Sequence, residues 1–374
     1  MNANLNMRAT TLINGLGQAG GNICEEAERI GGYNTFAMNS SLGDLSTLKL
    51  VKQVYHLEGG QGANHDRRKS KMLLYNDRET AINRTLQCIT SKTENIIVVG
   101  AAGGGTASGA MAMYTDCLVK KIRALGLNIN VCVALILPSL NESFKAQYNA
   151  LMCLEEIREL SSSIGAIFLL DNNQVKNKMT VNSRFIKQLS MFLDIPSSDS
   201  SIIKTIDKNE ITEVLSARNI AMITTASDKK NVSGEILKSL NSNIYAPIEG
   251  IGSRFGYLTL SLDNNNNVIN SEDVVLELKK TLGQSIDDYV TFNKRNMNIC
   301  CISGLPFPEQ RIKMISDIVS ESASDVRNLL TSKVEKPKIE KNLKELFSFN
   351  SPVVEKNENQ SDNEFLNDVM SKYL

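Results

Sequence analysis

The sequence predicts an α/β protein with a doubly wound parallel sheet, followed by a smaller α+β region. Three observations carry that expectation. Short apolar runs alternate with helical patterns through the first half of the 374 residues. Two loops of small residues, Gly15-Leu16-Gly17-Gln18-Ala19-Gly20 and Gly103–Gly109 (GGGTASG), each follow an apolar run and precede a helical pattern. After Asn182 the alternation gives way to one apolar helix face and then to more widely spaced strand signals.

In chain order, Thr10–Asn14 reads as a strand entering GLGQAGGN, Gly20–Ile30 as a helix and Asn34–Met38 as a second strand. A loop-rich stretch around Gly59–Asn64 precedes a charged helix from Arg67 to about Thr90. Next come the strand Ile96–Val99, a helix carrying Met111, Tyr114, Leu118 and Ile122, the strand Val131–Leu137, the helix Ser143–Leu160 and the strand Ile164–Leu170. Strands separated by helices imply parallel βαβ units, whose ligands bind beyond the carboxyl ends of the strands. Phe185, Leu189, Phe192 and Leu193 then form one apolar helix face ending near Pro196, before the loop-like SSDSS. A helix begins in Ile206–Leu215, and Ile220–Thr225, Arg254–Leu262 and Asn298–Ser303 read as strands, with a helix at Asp273–Leu282. The asparagines at 264–267 read as a hairpin tip. Glu309–Leu330 is amphipathic; beyond it, Lys333–Lys344 is lysine-rich and Glu355–Asp368 mostly acidic, a tail composition.

Composition narrows the function. Lys plus Arg equals Asp plus Glu, at 41 each, so no global field draws the chain to nucleic acid or membrane, and no direct sequence-specific DNA binding is expected. The opening MNANLNMR lacks the apolar core of a signal peptide, and the apolar runs are too short to span a bilayer. The seven cysteines (Cys24, Cys88, Cys117, Cys132, Cys153, Cys300, Cys301) form no CxxC pair, and an odd number fits a reducing cytoplasm. With two histidines, His56 and His65, and no His/Cys cluster, a zinc site or histidine triad is not expected.

The chemistry concentrates in the two small-residue loops. A loop without bulky side chains lets backbone N–H groups approach an anion, and the following helix adds its unpaired N–H groups and positive dipole end. Neither loop ends in Gly-Lys-Ser/Thr, so neither is a Walker P-loop. The first matches GxGxxG, which alone suggests a dinucleotide site, or else a tight structural turn. A dinucleotide site calls for an acid at the end of the second strand. That position reads Asn39-Ser40-Ser41, with Asp44 arriving late. Two backbone cradles on one sheet suit a triphosphate better than a pyrophosphate, leaving an NAD-dependent oxidoreductase as a distant alternative.

These loops resemble those of the tubulin/FtsZ family. Gly103-Gly104-Gly105-Thr106-Ala107-Ser108-Gly109 is similar to its signature loop, with Ala107 where the family usually has Gly. Gly17-Gln18-Ala19-Gly20-Gly21-Asn22 is similar to the first phosphate loop, where the Asn22 position also reaches the base. Asn39-Ser40-Ser41 resembles the Asn-Thr-Asp turn with Ser41 in place of the acid, and Gly59–Asn64, with Gly62, Ala63 and Asn64, resembles the loop that senses the γ-phosphate. Pro138 and Glu142 look like Pro-x-x-x-Glu, whose Glu accepts the ribose hydroxyls. Where FtsZ carries an Arg four residues later, this chain has Ala146, with Lys145 beside it. Asn172 and Asn182 resemble the two guanine-reading positions, with a loop or cap role as the alternative for each, and Met179 would lie against the base or in the core.

The resemblance implies a GTPase whose cofactors are GTP/GDP and Mg²⁺, the metal held through the phosphates rather than by direct side-chain ligands. It also implies that catalysis is completed by two acids, three residues apart, which reach the nucleotide of the next subunit. Asp207/Glu210 and Glu210/Glu213 both have that spacing, which puts two carboxylates on one side of a helical turn. Asp207 and Glu210 are preferred because Ile211, Val214 and Leu215 then fall where the family buries this helix; Glu213 is the register alternative. A solvated acidic helix start is the plain alternative for both.

The expected organisation is a nucleotide-binding domain over 1–180, a central helix and loop over 181–205, a second domain over 206–305, a C-terminal helix over 306–332 and a flexible tail over 333–374. Within the family the chain looks most like the plasmid- and phage-encoded TubZ group. That likeness implies head-to-tail filaments in the cytoplasm that segregate plasmid or phage DNA, through an adaptor met by the C-terminal helix and tail. Lys333, Lys336, Lys338, Lys341 and Lys344 are candidates for that contact, as is the apolar face of Phe365, Leu366, Val369 and Met370. A division or phage-positioning role is the alternative.

Overall fold

In chain order the elements of the computed structural model are β1 Thr11–Leu16, α1 Gly17–Ile30, β2 Asn34–Asn39, α2 Leu42–Ser46, β3 Val54–His56, α3 Arg67–Cys88, β4 Asn95–Ala101, α4 Thr106–Ala124, β5 Asn130–Leu137, α5 Phe144–Leu160 and β6 Ile167–Asp171. There follow α6 Met179–Leu193, α7 Ile195–Ser198, α8 Lys208–Ser216, β7 Ile220–Ala226, α9 Val232–Asn241, β8 Arg254–Asp263, α10 Ser271–Leu282, β9 Gln284–Asn293, β10 Asn298–Leu305 and α11 Glu309–Thr331. The structure describes residues 6–198, 205–227, 231–248, 254–264 and 269–331. The tail lysines from Lys333, the apolar positions Phe365–Met370 and all but the first of the hairpin-tip asparagines lie outside the described residues.

The strands form one sheet in the order β3-β2-β1-β4-β5-β6-β7-β10-β8-β9. From β3 to β7 every pairing is parallel, as expected for βαβ units. β4, β5 and β6 are buried at almost every position, because helices cover both faces. The strand order reverses between β1 and β4, so the crevice beyond their carboxyl ends is where a doubly wound sheet accepts a ligand. The registers align those ends. Leu16 pairs with Met38 and Gly100, Ala101 with Ile136, and Leu137 with Asp171. The loops after β1, β2, β4, β5 and β6 therefore leave from one edge.

β6 and β7 are linked at the single pair Ile167 and Ile220, and β10 then runs antiparallel between β7 and β8. α6 packs where the two parts of the sheet meet. Its expected apolar face, Phe185, Leu189, Phe192 and Leu193, is fully buried, and the Phe185 ring lies 5.5 Å from that of Phe168 on β6. This helix ends near Pro196, as expected. α6 ends at Leu193, and Pro196 lies in the separate short α7.

Two differences from the expected boundaries bear on the site. α1 starts at Gly17 rather than Gly20, and α4 starts at Thr106 inside the stretch read as loop. Glycines lower helix propensity, but short strand-to-helix turns leave no length for a separate loop. The strands β3 and β9 were not expected. Both are sheet edges with mostly exposed or half-exposed residues, so neither carries an apolar signature.

Candidate nucleotide site

A cleft of about 610 Å³ opens at the reversal point. Its walls are the ends of β1, β4 and β5, the start of α6 and the 61–65 segment. Of the residues singled out from sequence, Gly17, Gln18, Ala19, Asn22, Gly62, Ala63, Asn64, Gly103, Gly104, Gly105, Thr106, Ala107, Glu142, Asn172 and Asn182 line it. Stretches more than 160 residues apart in sequence thus meet in one cavity.

The helices of this chain differ in how they begin. α3, α5, α8, α9 and α10 each have a side-chain oxygen on a first-turn N–H, from Asp66, Ser143, Asp207, Asn231 and Asn270. α1 and α4 have no side-chain cap, and both open on the cleft. Their unpaired N–H groups and positive dipole ends converge on the same space. The carbonyls of the glycine loop are engaged behind it. Gly103 O meets His65 Nδ1, Gly104 O accepts from Asn149 Nδ2 and Ser108 Oγ, and Gly105 O accepts from Ser70 Oγ and Ser108 Oγ. A loop so anchored shows little negative surface to an anion.

The facing wall approaches closely. A Cβ on Gly105 would stand 2.8 Å from Ala63 Cβ and 2.9 Å from His65 N. Asn64 and His65 are both in the left-handed region, at φ 48° and 57°, a costly backbone for side-chain-bearing residues. Lys145 Nζ donates to Asn64 O at 3.1 Å and Asn149 Nδ2 to His65 O at 2.9 Å, so α5 holds this segment against α4.

Five predicted residues do not line the cleft. Gly20 faces β4, where a Cβ would stand 2.5 Å from Val99 O, and Gly21 packs on Leu48. Gly109 lets α4 approach α3, where a Cβ would lie 2.1 Å from Arg67 O. Asn39 is buried, accepts from Thr106 Oγ1 at 3.1 Å and donates to Asp44 Oδ2 at 3.1 Å, so it supports the wall from behind. Ser108 is spent on the glycine carbonyls. Ala107 lies within the first turn of α4, and its methyl packs over Gly100, where a Cβ would come within 2.7 Å of it. Alanine suits that helical position better than glycine does.

Sequence reasoning missed Lys178. It lines the cleft and pairs with Glu142 at 2.8 Å, on the carboxylate oxygen that also accepts from Ser139 N. It missed Arg311 as well. Asp171, next to Asn172, is fully buried and bound through both oxygens by Arg311 of α11, at 2.8 and 2.9 Å. In sequence both cations sit among ordinary charged residues, and no local pattern marks them.

The acids expected to complete catalysis lie elsewhere. Asp207 caps α8, accepting from Asn209 N at 2.7 Å and Glu210 N at 3.0 Å, while Glu210 returns a carboxylate oxygen to Asp207 N at 2.7 Å. Ile211, Val214 and Leu215 of this helix are fully buried. Glu213 has other partners, accepting from the hydroxyls of Tyr257 and Tyr289 at 2.9 and 2.7 Å. Lys208 pairs at 2.8 Å with Glu94, the residue before β4, so the acids sit by the start of that strand. The glycine loop follows its far end. Seven residues of strand at about 3.3 Å each separate them by roughly 23 Å.

No described helix is long and apolar enough to cross a membrane, and no described cluster of three His, Cys, Asp or Glu could hold a metal.

No protein-family model matches the chain. It is 26% identical over 329 residues to the tubulin-like protein TubZ of a Clostridium botulinum C phage, covering 87% of each chain. The crystal structure of the Clostridium botulinum phage c-st TubZ superposes with a TM-score of 0.75 at 23% identity, over 85% of this chain and all of that one. A GTPγS-form protofilament of Bacillus thuringiensis serovar israelensis TubZ superposes with a TM-score of 0.69 at 18% identity, over 86% and 94% of the two chains. With the motifs gathered around one cleft and similarity over most of the length, this chain has the tubulin/FtsZ fold and is TubZ-like in sequence.

Proposed function

We propose that the chain is a GTP-hydrolysing filament protein whose active site is completed by the next subunit, and that its filaments segregate plasmid or phage DNA. One observation carries the first part: the acid pair Asp207/Glu210 and the cleft lie at opposite ends of β4. About 23 Å of strand keeps the carboxylates from a nucleotide in their own chain. Head-to-tail stacking would bring the start of β4 in one subunit to the end of β4 in another. Such a contact does not close on itself, so it propagates as a filament.

Within the cleft, the uncapped ends of α1 and α4 would hold the phosphates and Glu142 would accept ribose hydroxyls. Asn172 and Asn182 would read the base. Bound GTP, with Mg²⁺ on its phosphates, would supply the scissile bond and the charge to be stabilised. Asp207 and Glu210 would orient water, which suits a reaction that rests on positioning and charge stabilisation. The capping box supports that role, because each carboxylate fixes the other's helix turn. The DNA role rests on the likeness to the TubZ group and on the composition of the tail.

GTP-dependent light scattering with phosphate release tests this. Asp207→Asn keeps a good N-cap while removing the charge. Filaments should still form with GTP, and turnover should fall to background. Turnover at the wild-type rate in Asp207→Asn and Glu210→Gln, with loss only in Glu213→Gln, would move the register. Absence of GTP-dependent assembly in the wild-type chain would end the proposal.

A further inference from the structure

Arg311 reaches from α11 to the roots of two loops that line the cleft, bonding Asp171, 140 residues earlier in the chain. Its side chain is 3% exposed, and Asp171 is 0% exposed. Besides the two bonds to Asp171, its Nη2 donates to Pro138 O at 2.6 Å. Asp171 ends β6 directly before Asn172, and Pro138 follows β5 and opens the turn that ends in Glu142. One guanidinium thus grips the roots of both loops that carry the nucleoside-facing residues. The loops also touch each other, since Leu140 N donates to Asn173 Oδ1 at 3.3 Å, and Asn173 N in turn donates to Asp171 Oδ1 within its own turn at 2.9 Å. The bonds of Arg311 go to Asp171 and Pro138, away from the phosphate-facing starts of α1 and α4.

We propose that Arg311 is a positioning residue for the nucleoside half of the site, setting Glu142 and Asn172 against ribose and base and tying their placement to the C-terminal helix α11. This rests on the nucleotide reading above. Planar geometry is what the position requires. A guanidinium meets a carboxylate with two parallel bonds and still has a donor for a carbonyl, whereas an ammonium is a point charge without that fork. Removing it leaves a buried carboxylate uncompensated, so the loops must open to water or shift.

The test compares GTP with 2′,3′-dideoxy-GTP by calorimetry on the full chain and on Arg311→Lys. In the wild-type chain, loss of the ribose hydroxyls should weaken binding at least tenfold. In Arg311→Lys that ratio should collapse to under threefold, with GTP itself bound at least tenfold more weakly. Arg158→Met, which removes the exposed partner of Glu309 on the same helix, should keep the wild-type ratio. A variant that loses affinity for both ligands equally, keeping the ratio, overturns the proposal by showing general destabilisation. If Arg311→Lys fails to fold, amide exchange in the wild-type chain decides. GTP should protect residues 311–315 more than the dideoxy analogue does, and equal protection overturns the proposal. A wild-type chain that binds no GTP removes the nucleotide reading and the proposal together; one that binds both ligands equally removes the proposal alone.

Discussion

Gly105→Ala is the most revealing small change to the cleft. The glycine is the residue before α4 and has right-handed backbone angles, φ −88° and ψ −62°, so alanine meets no conformational penalty there. Interior helix propensity favours alanine and cap preference favours glycine, so propensity alone points to no large change. Space decides otherwise. The new methyl would stand 2.8 Å from Ala63 Cβ, 2.9 Å from His65 N and 3.2 Å from His65 Cα, atoms of a backbone already strained at Asn64 and His65. Overpacking of this kind costs about 1–3 kcal/mol. If the 63–65 segment yields in the free chain, the cost returns when ligand draws it back, and GTP affinity falls roughly 5- to 150-fold at 1.4 kcal/mol per tenfold. If it does not yield, the cost appears as a lower melting temperature. Gly104→Ala is the matched control, because its methyl meets nothing closer than Ala101 O at 3.6 Å. Titration with a fluorescent GTP analogue and a thermal melt of both variants read the two limits. Equal behaviour of the two alanines in both assays would refute the steric account.

Further outcomes follow from the geometry. Ala107→Gly should lower stability by about 1 kcal/mol in denaturant titrations, since it removes a helix-favouring methyl from the first turn of α4 and leaves Gly100 uncovered. Lys178→Met breaks the pair with Glu142, but the lysine side chain is 59% exposed, so GTP affinity should change by less than about fivefold, and less still in high salt. Glu142→Gln should cost more in the same titration. Burial pushes the Cys24, Cys132 and Cys153 thiols up to about 12, so the folded chain holds them protonated where unfolded thiols ionise. Their contribution is complete below the unfolded thiol range, near 8.5, and is lost as pH rises toward about 12. Urea midpoints should therefore decline above about pH 9, and native alkylation should favour Cys117, the one cysteine that is not buried.

What could be read from the sequence, and what could not, divides along the range of the interaction. The parallel strands β4, β5 and β6 were legible because both faces are buried, so nearly every residue is apolar. The glycine loops were legible because a close backbone approach excludes side chains at the position itself. Their boundaries were not, since small residues look the same in a loop and in a first helical turn, and Thr106–Gly109 prove helical. The same limit hid the division of labour among the small residues. Gly17 and Gly105 face the cleft while Gly20 and Gly109 face a strand and a helix, and composition does not distinguish a backbone that approaches a ligand from one that approaches another element. Lys178 and Arg311 were illegible for a different reason. A charged residue on a helix is usually solvated, and what sets these two apart is a partner 36 or 140 residues away. The charges of Asp207 and Glu210 were legible because their partners are local. Their spacing encodes both a capping box and a surface pair, and the two are compatible: a carboxylate that fixes its own helix start keeps a constant orientation toward whatever docks on that end of the sheet. A filament partner would therefore meet an acid pair already held in place, and the ordering entropy is met on folding rather than at assembly.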